Sequence, residues 1–267
     1  RWDRTLEDIF DVQDEVSEAI ARRVSPSVTG YEQNRLLRMR PENLSAWEEY
    51  LQGLRCFHER QRTDHEDLGL TQARQHFEQA IELDPALSDA HAYLSLCGAW
   101  ELIYFTAQNP EQTLNGMLSD GRKAEALNPE NPMALTGMAT AYILRGEHST
   151  ALEHAQRAVK FNPSFALSYL WLGGAQVHSG DYQQGESTIL KAFELSPADP
   201  ELNIFHAVLY FACLGQGKYE EALDAIEQAL LPYPDAGALL GHRAAVLGHL
   251  ERSSEAKAAL DLSLIHI

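Results

Sequence analysis

The sequence predicts an all-α fold built from repeated helical hairpins. Prolines recur at a fixed period, small and aromatic residues recur at matching positions between them, and the apolar residues follow helical spacing. Pro129, Pro163 and Pro197 are 34 residues apart, whereas Pro85 precedes this series by 44 residues and Pro234 follows it by 37. Because one hairpin cannot bury its apolar face alone, we expect the units to stack into a solenoid.

Each repeat unit is predicted to be two helices joined by a tight turn. Between Pro129 and Pro163, the turn falls at Gly146. The residues expected to pack in this unit are Leu135, Met138, Ala139 and Tyr142 in the first helix and Ala151, Ala155 and Ala158 in the second. In the next unit, Gly173 is a small residue of the kind that lets paired helices approach closely. The proline ends one unit and turns the chain into the next.

The composition of the 267-residue chain excludes several classes of partner. Its 21 Lys and Arg against 39 Asp and Glu give a formal net charge of −18. Surfaces that bind nucleic acid, and polybasic membrane anchors, concentrate Lys and Arg, so we expect neither nucleic acid nor membrane as a partner. Cys56, Cys97 and Cys213 are widely spaced and form no C-x-x-C pair. This pattern favours free thiols in a reducing compartment and therefore a cytoplasmic location.

The period, the small residues and the terminal prolines resemble the tetratricopeptide repeat (TPR) family over residues 44 to about 260. The resemblance implies a right-handed solenoid of about six hairpins that binds other proteins through a concave face lined by the first helix of each unit. By periodicity, the residues of this partner-binding groove are Ala92, Leu96, Thr136, Thr140, Leu170, Gly174, Ile204, Val208, Gly241 and Ala245.

The predicted groove is apolar and lacks the basic pair with which chaperone-binding relatives hold a C-terminal carboxylate. Three interpretations remain open. The groove binds a helix or an extended apolar segment of a partner protein, it receives an upstream domain of the same parent chain, or its own side chains fill it.

Two units depart from the common length. The first has an extended connection through residues 62–65, and the second has extra residues between Trp100 and Glu111, with Tyr104 and Phe105 among them. Drift in a tolerant surface loop explains such insertions. The alternative is that they form a shaped rim for a partner.

Residues 1–28 do not belong to the repeat. Leu6, Ile9, Phe10, Val12, Val16, Ile20 and Val24 recur at three- and four-residue steps, which predicts an amphipathic helix. Residues 1–15 resemble the segment that closes a TolB-like α/β domain in large bacterial multidomain proteins. We therefore interpret residues 1–30 as the C-terminal remnant of such a domain and residues 31–43 as a linker with a helix.

In those proteins, a class III adenylate/guanylate cyclase domain or a winged-helix DNA-binding domain precedes the TolB-like segment. The resemblance therefore implies that this chain is the regulatory or assembly arm of a larger signalling protein. It would be a fragment of a nucleotide cyclase or the effector arm of a transcriptional regulator.

The last six residues, 262–267, depart from the helical pattern that runs up to Leu260. They resemble the translation of a transposon-type sequencing-library adapter. We therefore assign the solenoid to residues 44–261 and interpret the last six as a non-native tail on a metagenomic fragment. The alternative is a natural apolar tail that forms the last turn of a helix.

Motifs for catalysis or for a bound cofactor do not emerge from the sequence. The eleven histidines include no H-E-x-x-H pair and no set with metal-ligand spacing. Residues 215–218 lack the upstream Gly and the following Ser or Thr of a phosphate-binding loop, so we interpret them as a turn. We therefore predict a non-catalytic scaffold for protein–protein or interdomain interaction, with no metal and no cofactor.

Overall fold

The computed structural model describes residues 44–59 and 66–265, and within these ranges the chain forms twelve α-helices and no strand. The helices are α1 Leu44–Glu59, α2 Glu66–Leu83, α3 Ser88–Ile103, α4 Pro110–Leu127, α5 Pro132–Leu144, α6 His148–Phe161, α7 Ala166–His178, α8 Tyr182–Leu195, α9 Leu202–Gly215, α10 Tyr219–Leu230, α11 Gly237–His249 and α12 Ser253–Ile265. The all-α prediction is confirmed. The predicted N-terminal helix, the linker at 31–43 and the connection at 62–65 lie outside the described residues.

The helices pair into six hairpins, which we number 1 to 6 from α1–α2 to α11–α12. Each odd-numbered helix packs most closely against the even-numbered helix that follows it, as short connections require. The first helices α3, α5, α7 and α9 also contact one another in succession. Large buried side chains such as Phe77, Trp100, Leu170 and Phe205 fill the space between the hairpins. The count of six agrees with the predicted number of repeats.

The fourth hairpin shows why small residues recur at the helix interfaces. A Cβ atom on Gly173 of α7 would lie 2.5 Å from Cγ1 of Ile189 and 3.1 Å from the carbonyl oxygen of Gly185 in α8. A Cβ atom on Gly185 would in turn lie 3.1 Å from the carbonyl oxygen of Gly173 and 2.6 Å from Cγ2 of Val177. The two helix backbones therefore touch, which any larger residue at either position would prevent.

Five first helices, α3, α5, α7, α9 and α11, end in the same capping turn. After the helix comes a residue with positive φ, and the next backbone N–H donates to the carbonyl oxygen five residues earlier, as in Glu147 N to Tyr142 O at 2.9 Å. The positive-φ residues are Phe105 (58°), Gly146 (79°), Gly180 (89°), Gly217 (73°) and Glu251 (58°). Glycine suits this left-handed conformation because it has no Cβ. Hairpins 2 and 6 therefore place unusual residues there.

The start of α5 is tied to hairpin 2 by a buried asparagine. The side-chain oxygen of Asn131 caps α5 by accepting from the backbone N–H groups of Met133, at 3.0 Å, and Ala134, at 3.3 Å. Its amide nitrogen donates to Ser88 Oγ and to Asp89 Oδ1, each at 2.9 Å. One side chain thus stabilises both the helix start and the packing of neighbouring hairpins.

The last helix runs further than the sequence pattern indicates. Helix α12 continues to Ile265, although the apolar spacing predicts an end near Leu260. Ser263 is buried, and its hydroxyl donates to the carbonyl oxygen of Gly237 at 2.7 Å. Residues 262–265 therefore form the last turn of α12. The interpretation of residues 262–267 as a non-native tail stays a prediction.

Candidate functional site

An open cavity of about 970 Å³ lies among the first helices of the hairpins. Its helical walls come from α3, α5, α7, α9 and α11, and among the described residues no second helix lines it. Two connections complete the lining, residues 104–105 after α3 and residues 232–236 before α11. Five hairpins therefore contribute residues to the cavity.

The cavity lies beside the end of the run of contacting first helices, between α9 and α11. The connection before α11 carries Pro232 and Pro234 and makes the repeat spacing 37 residues there instead of 34. Helix α11 does not continue the succession of contacts that α3, α5, α7 and α9 make with one another. The ring of His242, 5.3 Å from that of Tyr210 and 5.0 Å from that of Phe211, lies between the two helices.

The walls of the cavity are mainly apolar. Trp171, Ile143 and Ile204 are each at least nine-tenths buried, and Val208 is half-buried beside them. Gly174 lies directly behind this surface, since a Cβ on it would be 3.5 Å from Trp171, 3.6 Å from Ile143 and 3.8 Å from Val208. Such walls favour apolar side chains of an occupant.

Tyr104 bridges the cavity from one side to the other. Its hydroxyl donates to Glu201 Oε2 at 2.9 Å, and Asn203 Nδ2 donates to the same hydroxyl at 3.4 Å. Its ring meets that of Tyr233 edge to face, with centroids 5.6 Å apart. Tyr104 and Glu201 are 97 positions apart in the sequence, so the bridge joins hairpin 2 to the N-terminus of α9 in hairpin 5.

Phe105, the next residue, stands at the rim of the cavity with 78% of its surface exposed. Its backbone occupies the left-handed region at φ 58°. The turn is held by hydrogen bonds from Phe105 N to Leu102 O at 3.3 Å and from Thr106 N to Glu101 O at 2.9 Å. The ring is therefore presented to solvent from a fixed backbone.

The described lining of the cavity contains an acidic side chain and no basic one. Among the described residues that line it, Asp235 carries a formal charge, and no Lys or Arg is present. His178 also lines the cavity and stacks on His148, with ring centroids 5.4 Å apart. Burial, and then the neighbouring His148, lower the pKa of His178 below its ordinary value, so we expect it to be neutral at pH 7. The described lining therefore offers an anionic group no basic side chain to pair with.

Two of the ten residues predicted for the partner-binding groove, Ile204 and Val208, line this cavity, and Gly174 lies behind its wall. The other seven lie elsewhere. Ala92, Leu96, Thr136, Thr140 and Leu170 are at most 1% exposed and pack between helices. Thr136, for example, lies with its hydroxyl 2.9 Å from that of Ser168. Gly241 faces Ser263 of α12, and Ala245 is exposed outside the cavity lining.

The sequence pattern did not reveal most of the cavity wall, because the first helices have no single apolar face that periodicity could identify. Every residue of α5 from Ala134 to Ile143 is buried, so periodicity cannot distinguish the face toward the cavity from the face toward the next helix. In α7 and α9, residues 166–177 and 202–214 are likewise all buried or half-buried, so Trp171 and Phe211 were missed for the same reason. A signal for the rim does exist, since the extra residues around Tyr104 and Phe105 are visible in the sequence and a shaped rim is one of their two interpretations.

Other features of the chain bear on metal binding, phosphate binding and membrane insertion. Over residues 44–59 and 66–265, no group of three or more His, Cys, Asp or Glu side chains could hold a metal ion. Residues 215–218 form the capping turn between α9 and α10, as predicted. In the part of the chain that the structure describes, no helix is both long enough and apolar enough to cross a bilayer. Cys56, Cys97 and Cys213 are all free thiols.

These features define the class of protein as an all-α TPR-type helical repeat. The family model described as tetratricopeptide repeat matches residues 136–200, which span α5 to α8, and supports the TPR family for this chain. The small glutamine-rich tetratricopeptide repeat-containing protein 2 of Mycosarcoma maydis is 35% identical over 80 residues. That match covers 30% of this chain and 23% of the relative, so the chain spans about a quarter of the relative's length.

Several solved structures share the fold of this chain. A thermophilic TPR protein of Thermus thermophilus matches with a TM-score of 0.55 at 19% identity, over 76% of this chain and 98% of that one. The pilF protein of Pseudomonas aeruginosa gives 0.56 at 16% identity, over 83% and 92%. The Cut9–Hcn1 hetero-tetramer of the APC/C gives 0.66 at 17% identity, over 96% of this chain and 43% of that one. At these identities the likeness concerns the fold.

Proposed function

We propose that this chain is a non-catalytic protein-interaction scaffold and that the cavity among its first helices receives a segment of another protein. The observation that carries the proposal is the cavity itself, which is open, mainly apolar and built by five hairpins together. Its rim is fixed by the Tyr104 contacts rather than left as a loose loop. Protein binding by the TPR class supports the same interpretation.

The size of the cavity suits a short peptide segment. A helix about 10 Å across with a pitch of about 5.4 Å occupies roughly 420 Å³ per turn. The cavity of about 970 Å³ therefore accommodates about two helical turns. Two turns present two or three side chains on one face, which suits apolar walls of this extent.

Selection from a phage-displayed library of random peptides, about twelve residues long, tests this function. Selected peptides are then titrated against the wild-type chain and against A207W, which places an indole in the cavity because Ala207 lines it. A258W is the matched control, since Ala258 is exposed on α12 away from the cavity. We expect A207W to weaken binding by about tenfold or more and A258W to leave it unchanged.

Circular dichroism of each variant confirms that its helices are intact before binding is compared. Failure of the library to yield any peptide, or equal binding by A207W and the wild type, would contradict the proposed function.

A larger parent protein is a finer proposal that rests on the sequence alone. The resemblance of residues 1–30 to a TolB-like segment supports a role as the regulatory or assembly arm of a signalling protein, with an upstream domain as the alternative occupant. A cyclase or a winged-helix domain encoded directly upstream would identify the parent, and any other upstream sequence would remove this proposal. The free cysteines support a cytoplasmic location.

A further inference from the structure

We propose that the cavity takes a cationic amphipathic segment of a partner protein and that Phe105, at the rim, is the specificity-determining residue that contacts it. This inference rests on the function proposed above. It adds the chemistry of the partner and one residue on which recognition depends.

The first argument is the identity of the residue in the capping turn. Hairpins 3, 4 and 5 place Gly146, Gly180 and Gly217 at the position where hairpin 2 has Phe105. A bulky side chain in the left-handed region is unfavourable, and outliers of this kind cluster at binding sites. Glycine would adopt this left-handed backbone conformation at a lower energetic cost. The geometry of the turn therefore does not explain why a phenylalanine stands there.

The second argument is where the ring stands. Phe105 is 78% exposed and continuous with apolar walls that include Ile103 and Trp171. Its neighbour Tyr104 is fixed by Glu201 and Tyr233, so the Phe105 backbone is held in place before any partner arrives. A ring presented in this way loses little conformational freedom when a partner covers it, and this favours binding.

The third argument is charge. The described lining contains Asp235 and no Lys or Arg, within a chain whose formal net charge is −18. The long-range field of the chain therefore attracts a segment that carries Lys or Arg beside its apolar residues, and no basic side chain of the described lining opposes it. The chain's own amphipathic segment fits less well, because residues 1–28 contain seven Asp and Glu against four Arg. These charges favour a partner in trans.

The test uses two labelled synthetic peptides of about twelve residues. One combines Leu and Lys at helical spacing, and the other has Glu in place of every Lys. Fluorescence anisotropy measures their affinities for the wild type, F105G and E251G. The E251G variant is the matched control, because Glu251 occupies the same capping turn at φ 58° in hairpin 6, outside the cavity lining.

We expect the Lys peptide to bind at least about tenfold more tightly than the Glu peptide. The F105G variant should weaken binding of the Lys peptide by about tenfold, while E251G should not weaken it. Neither variant should lower Tm, since both relieve a left-handed non-glycine residue. Because F105G leaves the net charge unchanged, its effect separates contact with the ring from general attraction to an acidic protein.

Preference for the Glu peptide, or wild-type affinity in F105G, would overturn this inference. If library peptides still bind in a manner sensitive to A207W, the proposed function survives that result. If neither the Lys peptide nor any library peptide binds, both the inference and the proposed function are overturned.

Discussion

Replacing Gly173 with alanine should destabilise the fourth hairpin, although alanine is the better helix former. The new Cβ would lie 2.5 Å from Ile189 Cγ1 and 3.1 Å from the Gly185 carbonyl oxygen, and the second of these is backbone that cannot rotate away. Overpacking of this kind costs about 1–3 kcal/mol. The gain in helix propensity returns about 1 kcal/mol. We expect a net loss of up to about 2 kcal/mol.

Gly116 provides the matched control within α4. A Cβ on Gly116 meets no heavy atom within 4 Å, so G116A should retain the propensity gain of about 1 kcal/mol. The two substitutions are chemically identical, and the overpacking cost separates them by about 1–3 kcal/mol. That difference is independent of any error in the propensity scale.

Urea denaturation at matched protein concentration measures the difference, and hydrogen exchange of the α7 and α8 amides locates it. Exchange is needed because hairpins in a repeat array can open in part, so one midpoint does not describe every unit. A G173A protein as stable as G116A would refute the packing argument. Unchanged exchange in α7 and α8 would show that any loss arises elsewhere.

Three further predictions concern the buried polar groups. Burial lowers the pKa of His206 and His242, so the unfolded chain binds more protons below about pH 6.5, and Tm should fall between pH 7 and pH 5. Burial raises the pKa of Cys213 to about 11, so a thiol reagent at pH 8 should modify half-buried Cys56 at least about a hundredfold faster. The N131A variant loses the cap of α5 and two hydrogen bonds to hairpin 2, so chemical denaturation should show a loss of about 2–3 kcal/mol.

A specific experimental result would contradict each of these three predictions. Constant Tm from pH 7 to pH 5 would contradict the histidine prediction. Equal labelling rates at the two cysteines by mass spectrometry would contradict the second. For the third, the comparison is S149A, a change at an exposed residue of α6, and an equal stability of the two variants would contradict the role of the asparagine.

The arrangement of the hairpins was predictable because it depends on local chemistry. Pro129, Pro163 and Pro197 each stand in the connection between hairpins, and Gly146 and Gly180 stand in the turns within them. Such residues act through their own backbone preferences, which the sequence displays directly.

The cavity was less predictable because it depends on relations between distant segments. The contact of Tyr104 with Glu201 and Tyr233 depends on how hairpins 2 to 5 stack on one another. The unusual status of Phe105 becomes visible only when its turn is compared with those of Gly146 and Gly180. Neither relation is a periodic property of the sequence.

The Tyr104 bridge also changes how the array responds to force. An ordinary solenoid behaves like a spring, because each unit contacts only its neighbours and the whole lengthens by small changes at every step. The Tyr104 contact joins hairpins 2 and 5, which are not neighbours in the array, and so restrains the hairpins between them. Hairpins 2 to 5 would therefore resist extension together until the Tyr104 contacts break. Hairpin 6 would yield on its own.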